Sequence, residues 1–127
     1  MPTPIIFEAG KAALEGTLND SPTARLLAQR LPFTFKMSRW GDEYYGDIGA
    51  KLGAEEAPDA RDDMKVGELA YWIPGNALCV FFGPTPASKG SEPKAASPVN
   101  PVGSLQGDVK ALKALGRSIQ VTVKAKG

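Results

Sequence analysis

Tyr71-Trp72-Ile73-Pro74-Gly75-Asn76-Ala77-Leu78-Cys79-Val80-Phe81-Phe82-Gly83-Pro84-Thr85-Pro86 is the most informative run of the chain. Pro74-Gly75 suits the two central positions of a type II turn, because proline presets the φ of the first and glycine accepts the positive φ of the second. Val66 to Ile73 therefore reads as one strand of a hairpin and Ala77 to Phe82 as the other. The second strand shows no alternation of apolar and polar residues. A continuous apolar run of that length, bounded by turn residues, marks a strand covered on both faces. Gly83-Pro84-Thr85-Pro86 reads as a rigid exit from it.

The flanking sequence supplies further strands and two helices. Pro4 to Glu8 is a short strand centred on Ile5, Ile6 and Phe7, and Lys11 to Leu18 is its returning arm after Gly10. Ser21-Pro22 offers a hydroxyl N-cap followed by proline at the first helical position. Ala24, Leu27, Ala28 and Leu31 then follow at helical spacing, which predicts an amphipathic helix of about three turns ending at Pro32. Phe33, Phe35 and Met37 alternate with polar residues at strand spacing, and Arg39 continues their face. Gly41-Asp42-Glu43 is turn-like, and Tyr44, Tyr45 and Ile48 begin another strand. Near the C-terminus, Gly107 to Leu115 reads as a short helix turning Val109 and Leu112 inward. Ile119, Val121 and Val123 form a last strand with one wet face. Two connections are long. Gly49 to Lys65 is polar and carries Glu55, Glu56, Asp59, Asp62 and Asp63 without the spacing of a calcium loop, so it reads as a solvated loop. Gly83 to Pro101, rich in Pro, Ser, Lys and Ala, reads as a loop that is either disordered at its tip or functional.

A length of 127 residues suits one domain, taken as 1–127, with a core that needs no staples. The net charge of +1 gives no electrostatic case for nucleic acid or a membrane surface. Histidine is absent, which excludes an imidazole base or a histidine metal ligand. The single cysteine, Cys79, excludes an internal disulfide and reads as a packed small hydrophobe. No phosphate-binding glycine motif is present, so no cofactor is expected. The N-terminus has no signal-peptide pattern and no run spans a membrane, so a cytoplasmic location is the expectation. Near-zero net charge and apolar hairpins make a homodimer plausible.

The element order, together with Trp40-Gly41-Asp42-Glu43-Tyr44-Tyr45, the run Gly67 to Pro86 and Ser97-Pro98-Val99-Asn100-Pro101-Val102-Gly103, resembles a small prokaryotic family of uncharacterised proteins with a cyclophilin-like fold. That resemblance implies a mainly β protein: a closed β-barrel of about eight strands capped by two short helices. It implies no particular reaction. Phe81-Phe82 lies where the better-known prolyl isomerases carry a Phe-Phe pair, and Val102-Gly103 resembles the Phe-Gly that follows their active-site histidine. The histidine itself has no counterpart, and Gly83 to Gly103 contains no aromatic to match the isomerase tryptophan. The isomerase arginine could correspond to Arg39, although its flanking motif is absent.

The candidate ligand-binding residues are Arg39, Trp40, Glu43, Tyr45, Tyr71, Trp72, Asn76 and Thr85. Amphipathic aromatics clustered on hairpins suit a cleft for a peptide or a flat ligand. Arg39 would be its polar anchor, with a structural pair to Asp42, Glu43 or Asp47 as the alternative. Asp42, Glu43 and Glu68 are candidate acid–base carboxylates, with exposure or pairing to Arg39 as the plainer reading. Three functional readings follow. The first is a binding module for an extended peptide or small molecule, the second a weak prolyl isomerase, and the third a small enzyme acting on an amide or small acid through Arg39 with Glu43 or Glu68.

Overall fold

A computed structural model describes residues 1–127. The strands are β1 (Thr3–Ala9), β2 (Ala12–Leu18), β3 (Phe33–Arg39), β4 (Glu43–Asp47), β5 (Arg61–Asp63), β6 (Glu68–Trp72), β7 (Ala77–Phe81), β8 (Lys94–Leu105) and β9 (Ser118–Ala125). Helix α1 (Pro22–Ala28) lies between β2 and β3, and a 3-10 helix, Val109–Ala114, precedes β9. Eight strands form a closed antiparallel ring in the order β2-β1-β9-β3-β4-β7-β6-β8, with β8 pairing back on β2. The barrel implied by the resemblance is therefore present, and β5 is added to it outside the ring, paired with the first part of β8. No helix is long and apolar enough to cross a membrane.

Inward-facing side chains fill the barrel. Phe7, Met37, Tyr44, Leu69, Val80 and Val121 are all fully buried there, and Leu112 of the 3-10 helix joins them. The strand β7 explains its own composition. Leu78 and Val80 face the barrel core. Cys79 and Phe81 face outward, yet they are equally buried, in a second cluster with Met64, Ala70, Ala95 and Val99. The first part of β8 and the strand β5 thus form an outer arm that covers the outside of β6 and β7.

Several local expectations need correction. The hairpin connection is a 3-10 turn over Ile73–Gly75 rather than a type II turn, and the residue with positive φ is Asn76 at 48°, not Gly75. Asparagine tolerates that region because its side chain bonds locally. Here the Asn76 Nδ2 donates to Asp47 Oδ1 and to Gly49 O, both at 2.9 Å, and its Oδ1 accepts from Leu52 N. Gly83 to Pro101 is not one loop, since β8 begins at Lys94. Two prolines hid it. Pro101 sits beside a register shift between Leu69 and Ala70, where a missing N–H interrupts little. The acidic connection likewise contains β5, and its Asp62 and Asp63 hold Lys94 of β8. The helix α1 has the expected Ser21 cap, accepting from Ala24 N at 3.2 Å, but is nearer two turns than three. Leu31, next to Pro32, is disfavoured from helical geometry, so the chain leaves the helix before it.

Asn100 marks the point at which β8 changes duty. It is buried, and its side chain donates to Thr23 Oγ1 and Glu55 O and accepts from Ala57 N, tying α1 and the acidic connection to the barrel. Beyond it, residues 103–105 close the ring by pairing with residues 16–18. Glycines sit on both sides of this seam. A Cβ at Gly16 would lie 2.7 Å from Ser104 O, and one at Gly103 would strike Thr17 O. Both obstacles are backbone atoms, so relief requires the strands to separate. Gly16→Ala and Gly103→Ala are each expected to destabilise the fold by about 1–3 kcal/mol, measured by urea denaturation, whereas Gly107→Ala, with open space at its Cβ position, leaves the packing untouched and strains only its positive φ.

Candidate ligand-binding pocket

Strand alternation divides the candidate residues between two sides of the sheet. Successive side chains of a strand point to opposite faces. Arg39 follows the inward face of Phe35 and Met37, so the next residue, Trp40, faces out. Tyr44 is buried in the barrel core while Tyr45 is 38% exposed on the outside. Tyr71 faces the core and Trp72 packs against the outer cluster. Each neighbouring pair thus contributes one side chain to the barrel and one to its exterior.

The outward members converge. Trp40, Glu43, Tyr45 and Trp72, with Cys79, Ala95, Ala96 and Val99, line a pocket of about 260 Å³. Register explains the convergence. Tyr45 lies opposite Cys79 across β4 and β7, Cys79 lies opposite Ala70 across β7 and β6, and Glu43 lies opposite Phe81. Trp40 enters from the turn after β3. That turn is closed by mutual backbone bonds between Trp40 and Glu43 and needs Gly41 at φ 61°. The far wall is the arm made by the first part of β8, to which the Trp72 indole N–H is tied by a 2.8 Å bond to Ser97 Oγ.

Glu43 is the single charged residue type in this lining, and its residue is only 5% exposed. Neither plainer expectation for it holds: it is not solvated, and it forms no ion pair with Arg39. Burial without a cation disfavours the carboxylate, and its pKa rises from 4.5 to about 8, with the adjacent Cys79 thiol opposing the rise weakly. Burial and the neighbouring acid push the Cys79 thiol well above its ordinary value. A thiol so disposed is neutral and a poor nucleophile. The pocket therefore combines π faces, methyl groups and one acid that holds its proton at neutral pH.

The remaining candidates lie elsewhere. Arg39 closes one end of the barrel. Its Nε donates to Gly41 O, its Nη1 to Lys113 O and Leu115 O, and its Nη2 to Asp42 Oδ1, which occupies four of the five N–H donors of a guanidinium. It also lies 5.3 Å from the ring centroid of Phe82 and 5.9 Å from that of Tyr44. The structural pairing with Asp42 is the arrangement present, and Lys113 shares that carboxylate. Tyr71 bonds the Asn76 side chain, and both fasten the connection after β4. Thr85 is buried; its hydroxyl donates to Lys94 O and accepts from Ala87 N, ordering the turn before β8. Glu68 is bound by Arg61 on β5. The three candidate carboxylates are thus separated, each in a different environment.

Sequence reasoning missed Cys79 as a lining residue and missed Ala95, Ala96 and Val99 altogether. The alternation Cys79 and Phe81 against Leu78 and Val80 was available once β7 was read as two-faced. The arm had no such signal, because alanine and serine between prolines carry little strand preference.

A barrel of eight strands with an outer arm and an aromatic pocket on its exterior is thereby defined. The chain belongs to the Cyclophilin-like family, whose model matches residues 1–124. It is similar to the solution structure of the hypothetical protein AF2241 from Archaeoglobus fulgidus, with 32% identity, a TM-score of 0.79, and coverage of 98% of this chain and 95% of that one. It is also similar in fold to McbB, solved in complex with tryptophan, at 23% identity and a TM-score of 0.68; that match covers 97% of this chain but 45% of McbB. No curated protein matches the sequence.

Two outcomes follow from these environments. Glu43 holds a proton in the folded chain between pH 4.5 and about 8, where the unfolded chain has lost it. Stability therefore falls as pH rises through that window, with a slope approaching about 1.4 kcal/mol per pH unit, and levels off above it. Asp20, lowered to about 2, acts in the opposite sense but only below its ordinary 3.8, so the windows do not overlap. In a urea denaturation series against pH, Glu43→Gln should remove the slope above pH 4.5 and be the more stable form in alkaline buffer. Arg39→Met, measured in the same way, should cost about 2–3 kcal/mol through lost charged hydrogen bonds at the barrel end.

Proposed function

We propose that this protein is a binding module whose ligand places a compact apolar or π-interacting group in the exterior pocket lined by Trp40, Glu43, Tyr45 and Trp72. The observation that carries this reading is their convergence: side chains from the β3–β4 turn, β4 and β6 meet around one apolar recess. Recesses of this kind, mostly apolar with a few placed polar groups, are the common form of ligand sites. At about 260 Å³ the recess suits a head group or one side chain rather than a long segment of extended peptide. A peptide ligand would therefore insert one residue and lie across the rim at Tyr45.

The two enzymatic readings draw no support from the same geometry. Both relied on Arg39 as a donor or anchor, and its donors are spent on the barrel end. The carboxylate partner in the third reading, Glu68, is held by Arg61. Glu43 remains, and the titratable group beside it is the Cys79 thiol, which burial keeps neutral.

The only two tryptophans of the chain both line the pocket, so intrinsic fluorescence reports its occupation directly. A fragment screen read by tryptophan fluorescence and ligand-observed NMR should return ligands whose affinity falls at least about tenfold in Trp72→Ala or Tyr45→Ala, a loss of about 1.4 kcal/mol. Lys11→Ala, on the exposed tip of the first hairpin, should leave affinity unchanged. Ligands indifferent to both pocket substitutions, or no ligand at all, would count against the reading.

A further inference from the structure

We infer that the group this pocket takes is an organic cation, a methylated or quaternary ammonium held over the faces of Trp40, Tyr45 and Trp72 and against the carboxyl of Glu43. The inference rests on the binding role proposed above and names its ligand class. Three features of the lining carry it. Three of its eight residues are electron-rich rings, two of them indoles, which attract a cation most strongly when it is desolvated. The lining contains no Lys or Arg, so it has no cationic side chain to pair with an anion. Glu43 is buried with no ion-pair partner, so the pocket already contains an acid that lacks only its counter-charge.

The type of cation follows from the shortage of acceptors. A primary ammonium has three N–H donors to satisfy. The recess offers one carboxyl amid rings and methyl groups, so such an ion would lose hydration without replacement. A quaternary ammonium has no N–H and sheds water more readily, and its methyl groups suit the apolar walls.

No neighbouring cation competes for the carboxyl. On β4 the other ionisable groups are Tyr44, in the barrel core, Tyr45, on the rim, and Asp47, bonded to Asn76. β7 contributes Cys79, and β6 contributes Tyr71, facing inward, and Glu68, bound to Arg61. The arm contributes Lys94, paired with Asp62 and Asp63. Within the β3–β4 turn, Asp42 is shared by Arg39 and Lys113 at the barrel end. A bound cation would therefore be the first positive charge to reach Glu43. Its arrival favours the carboxylate, so the carboxylic acid transfers its proton to solvent or buffer as the ion pair forms. Affinity should rise with pH until Glu43 is ionised in the free protein, and then level off.

The test compares choline with its uncharged isostere, 3,3-dimethylbutan-1-ol, on the full chain, by tryptophan fluorescence and calorimetry at about pH 6 and about pH 9. Choline should bind at least about tenfold more tightly than the isostere, corresponding to about 1.4 kcal/mol. It should bind more tightly at the higher pH, and should release protons at the lower pH in buffers of differing ionisation enthalpy. Glu43→Gln should bring choline towards the isostere and abolish the pH dependence, with isostere binding as the check that the variant's pocket is intact. If that variant does not fold, the choline-to-isostere ratio and proton release of the unmodified protein still decide the matter. Equal or tighter binding of the isostere would overturn the cation while leaving the binding pocket standing. Binding of neither probe would overturn it too, and the fragment screen then separates the cases: hits sensitive to Trp72→Ala preserve the binding role, and their absence removes both.

Discussion

The strand β7 has no polar face, and most of the architecture answers that constraint. An apolar strand in a closed ring needs cover on its interior and again on its exterior. The interior cover is the barrel core, reached by Leu78 and Val80. The exterior cover must come from elsewhere in the chain, and the first part of β8 with β5 provides it over Cys79 and Phe81. That arm does not extend fully over β4. The uncovered remainder, edged by Trp40, Tyr45 and Trp72 and floored by Glu43 and Cys79, is the pocket. The recess is thus the unfilled part of a second, smaller core rather than an opening into the barrel.

The same geometry explains why adjacent residues have unrelated roles. Arg39 and Trp40 are neighbours in sequence, but one serves the barrel end and the other the exterior recess. Tyr44 and Tyr45 divide likewise, as do Tyr71 and Trp72. Sequence proximity suggests one aromatic site. Strand periodicity splits it into a buried set that stabilises and an outward set that remains available.

The sequence made the barrel legible where patterns were strong. The β1–β2 hairpin, the capped helix, the alternation in β3 and β9 and the two-faced β7 all follow from local rules. The arm was illegible because its strand lies between prolines and is built from small residues, with its stability coming from pairing and burial rather than from propensity. The turn type was misread because Asn76, not Gly75, takes the left-handed conformation, supported by tertiary bonds to residues far back in the chain. For the site, half of the candidates reach the pocket, and the key error concerned Arg39. Its inward phase was evident in Phe35 and Met37, and the same phase excludes it from a site containing Trp40. Glu43 was harder to place, since nothing local announces that an acid two residues after a glycine turn will be enclosed by an arm contributed fifty residues later.

The strand β8 carries two unrelated duties end to end, with Asn100 fastened between them. Up to Val99 it is the wall of the recess; from Gly103 it is the bolt that shuts the ring against β2. Substitutions in the first stretch act on the wall of the recess without touching the closure, and substitutions in the second trouble the whole barrel. The recess can thus be reshaped from one end of a strand while the other end stays constant.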